Sequence, residues 1–472
     1  MPSATNRRVG VIGAGVSGVV TAAHLLAEGL DVTVFERAPV AGGVWVWESR
    51  VPHEPTYPSA KPSVAESTFF KAATNGEKKA WLSEPTPAYD SLKNNVPTEL
   101  LETTLNPLKP GTESFVLHNV LKDYIQDTAE KTGVTKNTQF NTRVEHVSKT
   151  GDQWKLVSST WDEAKGEAVS KEWSFDSVIV ASGHYHAPRV PNIRGLSEWK
   201  SKFPSRIQHS KSYRNANGYE NQNVLVIGGS ASSLDAVKEI VPVAKKVWQS
   251  TRGGAFDLPV AVLPDEVERI GEVVEFHPPG QDSAEGSIGN ATLADGTVIK
   301  DIDRIIVATG YQFSLPFLLE YHRDDVKASD ADDKVLVTDG TQLHNLHHDI
   351  FYIPDPTLIF IGVPFYTATF SFFEFQAIAA AAFLSGKAKL PSVEAQRAEY
   401  SERVKAKGFG KKFHARLGED LEYAAGLMKW VNEGRDPADR KPDGYSEKWI
   451  ADRERLRHNP DPKNSLFEKT KI

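Results

Sequence analysis

Apolar residues along the chain fall into short runs punctuated by glycine, and the first such run opens the readable sequence. Val9-Gly-Val-Ile12 has the pattern of a buried strand, Gly13-Ala-Gly15-Val-Ser-Gly18 follows as a turn, and Val19, Ala22, Ala23 and Leu26 recur on one helical face. Gly29 stops that helix, and Asp31-Val-Thr-Val-Phe-Glu36 reads as a second strand ending in an acid. The same order recurs at Asn223-Val-Leu-Val-Ile227, with the turn Gly228-Gly229-Ser230-Ala231-Ser232-Ser233, a helix predicted from Leu234 to Val243 and a strand from Lys246 to Ser250. Two further segments share a form: Phe175 to Gly183 and Ile302 to Gly310 each run from an Asp through an apolar strand into Ala-Ser/Thr-Gly. Residues 151–175 alternate around Trp154, Leu156 and Val157, which predicts a hairpin, and beyond about Gly434 a charged, Pro-rich stretch predicts a surface-hugging tail. The chain contains no internal repeat besides the two glycine units.

In the first unit Gly13 makes the tight turn, Gly15 lets the backbone approach a pyrophosphate, and Gly18 lets helix pack on strand. The helix N-terminus offers unpaired N–H groups to phosphates. Glu36, 23 residues after Gly13, accepts hydrogen bonds from ribose hydroxyls and repels a 2′-phosphate. In the second unit Ser230 and Ser233 replace two glycines, and the strand ends in Ser250-Thr251-Arg252 with no acid. By itself this copy also fits a strand-to-helix turn of any α/β domain. The guanidinium beside two hydroxyls suits a 2′-phosphate, so the pair reads as one site for an unphosphorylated ribose and one for NADPH. The expected fold class is α/β, with two Rossmann-like dinucleotide-binding domains. The NADPH domain, 188–311, is inserted into a split domain made of 1–187 and 312–434, and 435–472 forms the tail.

Composition narrows the picture by exclusion. With 472 residues the chain holds two or three domains, and Lys+Arg 55 against Asp+Glu 62 gives a net charge of −7, which supplies no reason to expect nucleic acid. Cysteine is absent, so there is no disulfide, no thiolate metal site and no redox-active Cys pair; no metal is expected. Arg7 and Arg8 lead straight into a strand, leaving no room for a signal peptide. The most apolar stretch, Phe370 to Leu384, carries Glu374 and Gln376 and is too short to span a bilayer. The expectation is a soluble, cytoplasmic protein without a transmembrane segment.

Taken together, these residues resemble the class B flavoprotein monooxygenases, specifically the flavin-containing monooxygenase family, over about residues 8 to 430. Gly42-Gly43-Val-Trp45 is similar to the family's Gly-Gly-x-Trp, and Tyr89 to Pro97 to its Tyr-x-x-Leu-x-x-Asn-x-Pro segment. Phe203-Pro-Ser205-Arg-Ile-Gln-His209-Ser-Lys-Ser-Tyr213 is similar to its fingerprint, and Ala308-Thr-Gly-Tyr311 and Phe373-Glu-Phe-Gln376 complete the set. The fingerprint departs at Ser205, where the family has Gly, and a backbone needing positive φ would be strained there. It ends in Tyr213-Arg214 rather than in the Trp of the Baeyer–Villiger enzymes.

The resemblance implies FAD on Gly13, Gly15, Gly18, Glu36, Gly43, Trp45 and the backbone of Val144, with Gln376 near the isoalloxazine. It implies NADPH on Gly228, Ser230, Ser232, Ser233 and Arg252. His209 and Tyr213 fall on the linker between the nucleotide domains among the cofactor-contacting residues. For His209 a structural role stays open, and for Tyr213 and Trp45 so does core packing. Asn95 is the implied catalytic residue, at the reactive edge of the flavin. The implied activity is reduction of FAD by NADPH, formation of a C4a-hydroperoxyflavin with O₂, and transfer of one oxygen atom to a soft nitrogen or sulfur nucleophile of a small organic substrate. A Baeyer–Villiger reaction on a ketone, or a non-oxygenating NADPH–flavin reductase or redox sensor, remains open as an alternative. So does assembly as a homodimer. Phe365, Tyr366, Phe370, Phe372 and Phe373 are either pocket wall or core.

Overall fold

The computed structural model describes residues 7–65, 84–162, 164–281 and 284–458; residues 459–472 of the predicted tail lie outside the described residues. Strand Arg8–Ile12 is apolar and buried along nearly all its length, as a strand covered on both faces must be. It pairs in parallel with Asp31–Phe35 on one side and Ser177–Val180 on the other. Around it forms a seven-stranded sheet, completed by Thr138–Gln139 beyond Asp31–Phe35 and by Leu358–Phe360, Phe351–Tyr352 and Leu346–His347 beyond Ser177–Val180. This sheet therefore draws strands from before residue 181 and after residue 345. The chain between builds a second sheet of five parallel strands, with Asn223–Ile227 flanked by Lys246–Ser250 and Arg304–Val307, and Val267–Ile270 and Ile207–His209 at its edges. The fold is α/β with two Rossmann-like sheets.

The chain crosses between the sheets twice, and the crossings pair with each other: Ala187–Pro188 runs antiparallel to Tyr311–Gln312. Strands of 142–175 form a three-stranded antiparallel sheet; the predicted hairpin is its second half. The predicted helix from Leu234 starts three residues earlier, at Ala231, and ends at Ile240, just before Val241-Pro242. The small residues read as turn already have helical backbone, which turns their N–H groups toward the strand ends. Ser205 lies in an exposed turn outside the left-handed region, so serine carries no backbone strain there.

Helix Thr369–Leu384 explains its own composition: every residue except Thr369 and Phe383 is buried. It packs with helix Val16–Ala27 in one core cluster, where Ala22 and Ala23 share the cluster with Ala379 to Ala382 and allow close approach. Its two polar residues are both satisfied. Glu374 accepts from the Thr104 N–H (2.8 Å) and lies 3.1 Å from His24 Nε2; Gln376 accepts from the Gly362 N–H (3.1 Å) and donates to the Tyr423 hydroxyl (3.0 Å). Among the described residues no helix is long and apolar enough to cross a membrane. The described part of the tail is more ordered than its charge suggests. Helix Glu447–His458 is anchored by Trp449, which is buried, stacks on Tyr445 at 3.7 Å and donates its indole N–H to the Leu100 carbonyl at 3.0 Å.

One buried ion cluster ties the C-terminal segment to the first sheet. Asp349 is fully buried; it accepts from His414 Nδ1 (2.8 Å), from Arg416 (2.7 Å) and from Arg403. Burial pushes its carboxyl up, but Arg403, Arg416 and His414 more than reverse this and hold it well below the usual carboxylate range. Its stabilising contribution is thus present at neutral pH and is lost only as pH falls through that lowered folded value. Asp349→Asn leaves the Arg403 and Arg416 guanidinium groups with only the partly exposed Glu399 (3.8 Å) and Glu419 (3.2 Å) as counter-charges. The expected cost is about 3–5 kcal/mol, read as a fall in the urea midpoint at pH 7; an unchanged midpoint would show that the cluster is not coupled to folding.

Candidate active site

A cavity of about 1690 Å³ runs between the two sheets, lined at one end by Gly13, Gly15, Glu36 and Gly43 and at the other by Gly228, Ser230, Ser232 and Arg252. That exceeds the roughly 300–1,000 Å³ of an ordinary single-ligand pocket. Its two ends are built alike. The Gly13 N–H donates to Phe35 O (2.8 Å) and Ala181 N–H to Ile12 O (2.9 Å); the Gly228 N–H donates to Ser250 O (2.9 Å) and Ala308 N–H to Ile227 O (2.7 Å). A Cβ on Gly13 would stand 2.6 Å from Ala181 O and one on Gly228 2.2 Å from Ala308 O, both at left-handed φ. Neither following helix has a side-chain cap: Gly15 and Ser230 occupy the cap positions without a capping hydrogen bond, so the first N–H groups stay open to a ligand. Two uncapped helix starts at strand ends suit two phosphate-bearing ligands, and the volume of the cavity suits dinucleotides.

At the first end Glu36 accepts from the Ala14 N–H (2.7 Å) and the Ala38 N–H (2.8 Å), which aims it along the cavity wall. Burial raises its carboxyl despite these two donors. Trp45 and Val144 also line this end, and Trp45 meets Phe370 edge-on at 6.2 Å, so it is both wall and packing. At the second end Arg252 reaches into the cavity from the end of Lys246–Ser250. Tyr366, at φ +59°, brings its hydroxyl to 3.4 Å from Ser230 and stacks on Phe256 at 5.4 Å.

Between the ends stands Asn95, exposed on the wall and without a side-chain hydrogen bond among the described residues. The turn before Pro97 is held instead by Asn94, which donates to Val96 O (2.8 Å) and Ser114 O (2.7 Å) and accepts from the Val116 N–H (2.7 Å). Its segment also clasps the second sheet's helix: Tyr89 donates to Asp235 (2.7 Å) and Ser91 to Glu239.

Five of the sequence-derived site residues stand behind the wall. Gly18 lies where the helix meets its own turn. Ser233 is buried and accepts from Gln249 (2.7 Å). Gln376 serves the wall through the Gly362 N–H rather than facing a ligand itself. Tyr213 is buried, with its hydroxyl donating to Glu239 (2.7 Å). His209 is fully buried, with its Nδ1 accepting from the Lys211 N–H (3.1 Å) and its Nε2 donating to Gly310 O (3.2 Å). Burial and then Lys211 push its imidazole down to about 3, which favours the neutral ring. Phe365, Tyr366, Phe370 and Phe373 are wall, whereas Phe372 is core.

Sequence reading missed Arg189, Lys411, Phe256, His184 and Tyr185, all of which line the cavity. The last two follow Ala-Ser-Gly, and that motif was the signal available for them; the others carry no local pattern. Away from the cavity, His347, His348 and Glu399 bring ligand-type atoms within 4.8 Å of one another, but Glu399 is already engaged by His347 (3.1 Å) and Arg403 (3.8 Å).

A family profile described as Flavin-binding monooxygenase-like matches residues 83–265 and 257–434, and one described as FAD dependent oxidoreductase matches residues 8–70. The chain belongs to the flavin-containing monooxygenase family. It is similar to flavin-containing monooxygenase ustF2 of Aspergillus flavus, 42% identical over 97% of this chain and 98% of that protein, and to ustF1 of the same fungus, 37% identical over 95% and 89%. Its fold is shared by the S-allyl-L-cysteine S-oxygenase of Allium sativum, with a TM-score of 0.71 at 24% identity over 97% of this chain and 94% of that one. This member of the family is thus a flavin-dependent monooxygenase: FAD is its cofactor, NADPH the reductant typical of the family, and a small molecule and O₂ its substrates.

A Cβ on Gly18 would lie 1.8 Å from Gly13 O, so any side chain there must push the helix off the turn. Gly18→Ala is expected to purify with little or no FAD, measured as the ratio of flavin to protein absorbance; a fully yellow variant would show that the turn tolerates the shift.

Proposed function

We propose that this monooxygenase uses NADPH to reduce FAD and then transfers one atom of O₂ to a soft nitrogen or sulfur nucleophile of a small organic substrate. The observation that carries this reading is the continuity of the cavity: two uncapped helix starts face one space, with Asn95 free on the wall between them. In this reading 1–187 with 312–434 is the FAD domain and 188–311 the NADPH domain.

FAD, when bound, supplies the electron transfer and the activation of O₂; the protein supplies position and dryness. The backbone of Gly13 to Gly15 and the start of helix Val16–Ala27 would hold its pyrophosphate, and Glu36 its ribose. The second turn, with Ser230 and Ser232, would hold the pyrophosphate of NADPH, and Arg252 its 2′-phosphate. Tyr185, Tyr311, Phe256, Phe365 and Tyr366 put aromatic surface around the space between, which limits entry of water and strengthens each hydrogen bond made there. Asn95 has an amide with both donors unspent. It can hold an oxygen-bearing group at the reacting end and so keep reduced oxygen from leaving as H₂O₂.

Reaction class is tested by incubating FAD-loaded protein with NADPH, ¹⁸O₂ and a panel of amines, thioethers and ketones. One ¹⁸O in an N-oxygenated or S-oxygenated product supports the proposal, and an ester formed from a ketone overturns it.

Asn95→Ala is expected to keep its FAD and its NADPH oxidation but to lose coupling. A donor of this kind in a dry site is worth on the order of 2.7–4 kcal/mol, so nearly all electrons should appear as H₂O₂. An unchanged ratio of H₂O₂ to NADPH consumed would remove Asn95 from the chemistry. For coenzyme choice, a charge-assisted contact to phosphate is worth about 1.5–3 kcal/mol, or about one to two decades. Arg252→Ala should therefore raise the KM for NADPH by that factor and leave that for NADH nearly unchanged; equal effects would place the 2′-phosphate elsewhere.

A further inference from the structure

Three cationic side chains from three separate segments converge on the second end of the cavity. Arg189 follows the first crossing between the sheets, Arg252 ends strand Lys246–Ser250, and Lys411 opens the short helical turn Lys411–His414. None of the three makes a side-chain hydrogen bond or ion pair among the described residues. Elsewhere on the same wall Arg50 is paired with Glu48 (2.7 Å) and Arg143 with Glu145 (2.8 Å). Unpaired like charges repel; Asp257 and Glu272 line the same cavity, but neither pairs with any of the three, and Asp257 accepts from the Gly254 N–H (2.8 Å), so the three cations are left to an anion that arrives from outside.

The position of Lys411 is not left to a mobile loop. Phe413 and His414 in the same turn are fully buried, and His414 and Arg416 are tied to Asp349. On the other side the Gly410 N–H donates to Gln342 (2.8 Å). From this base the ammonium lies against Gly310, at the second crossing: a Cβ built on Gly310 would stand 3.0 Å from Lys411 Nζ. A residue of the C-terminal segment thus reaches the place where the chain passes between the two nucleotide sheets.

We propose that Lys411 and Arg189 complete, together with Arg252, a phosphate site for the pyridine nucleotide, so that the C-terminal segment helps to hold the reductant. This rests on the assignment of the second turn to NADPH. The charges around Lys411 agree with it. Burial first, then Arg189 and Arg252, push its ammonium down to about 8. The imidazoles facing it add no charge near neutrality: His184 is pushed down to about 4 and His209 to about 3, chiefly by burial, and His414 is lowered as well. A bound phosphate favours the charged form and raises that value again, so binding just above pH 8 takes up a proton. Affinity for the phosphate is accordingly full below about pH 8 and falls as pH rises through it.

The test is titration of the FAD-loaded, full-length protein with NADP⁺ and with NAD⁺, followed by the perturbation of the flavin spectrum and by calorimetry. Lys411→Met is expected to weaken NADP⁺ binding by about 10- to 100-fold, Lys411→Arg to restore it to within a few-fold, and Arg189→Met to act in the same direction. If NAD⁺ binding is spared, the group held is the 2′-phosphate; if both nucleotides weaken equally, it is the pyrophosphate. Either outcome supports the proposal. In calorimetry between pH 8 and 9, proton uptake on NADP⁺ binding should appear in the wild type and vanish in Lys411→Arg. Unchanged affinity for both nucleotides in folded, yellow Lys411→Met overturns the proposal. Arg252→Ala measured in parallel separates the two levels. If Arg252→Ala loses NADP⁺ while Lys411→Met does not, only the role of Lys411 fails; if neither variant changes NADP⁺ binding, the assignment of the second turn fails with it.

Discussion

Both nucleotide sites depend on one close approach: a glycine turn pressed against the carbonyl at the end of the neighbouring strand. At Gly13 and at Gly228 no Cβ fits between turn and strand. The space saved brings a helix start, with its unpaired N–H groups, up to the edge of the sheet. Everything downstream follows from that contact. A helix that begins this close to the strand ends cannot be capped by its own side chains without blocking the site, and neither Gly15 nor Ser230 caps. The open donors and the positive helix end then need an anion to satisfy them. Glu36 stands one residue past the end of its strand and Arg252 two residues past the end of the corresponding strand, with opposite charge.

The two units form one site only because the segments between them are pinned. The crossings pair at Ala187–Pro188 and Tyr311–Gln312, His209 links the second sheet to Gly310, and the Tyr89-to-Pro97 segment clasps helix Ala231–Ile240 through Asp235 and Glu239. Burial raises both of these carboxyls. Groups that are costly to bury but bonded to tyrosine or serine hydroxyls fix geometry more than they add stability. That is the role such a joint needs, since a shift of about an ångström between reacting groups is enough to cost catalysis dearly.

The legible parts of the site were those written in consecutive residues. Strand, turn, helix and strand occupy fewer than thirty residues in each unit, and backbone sterics alone dictate where glycine must stand. The fold class and the family follow from these runs. Residues whose role depends on which way a side chain points were read less well. Asn94 and Asn95 are indistinguishable as letters, yet the first is spent on holding the turn and the second is free on the wall. Gln376 sits in a motif and still turns away from the cavity, because a helix buried on all sides must satisfy every amide it contains. The tail read as a charged, surface-hugging stretch; in its described part Tyr445 and Trp449 are the two residues that tie it down.

By itself the sequence determined two glycine-led turns, one followed by an acid and the other by an arginine, the absence of any cysteine, and the membership in an oxygenating flavoprotein family. Those depend on local backbone conformation and on residue inventory, which the order of residues states directly. Only the tertiary structure decided that the two turns face one continuous cavity, that His209 is a joint, and that Arg189 and Lys411, 222 positions apart, stand beside Arg252. The physical reason is that charge and burial act through space. Lys411 reads as an ordinary surface lysine until the fold carries it from the Asp349 cluster to the crossing at Gly310, where two guanidinium groups act on its charge.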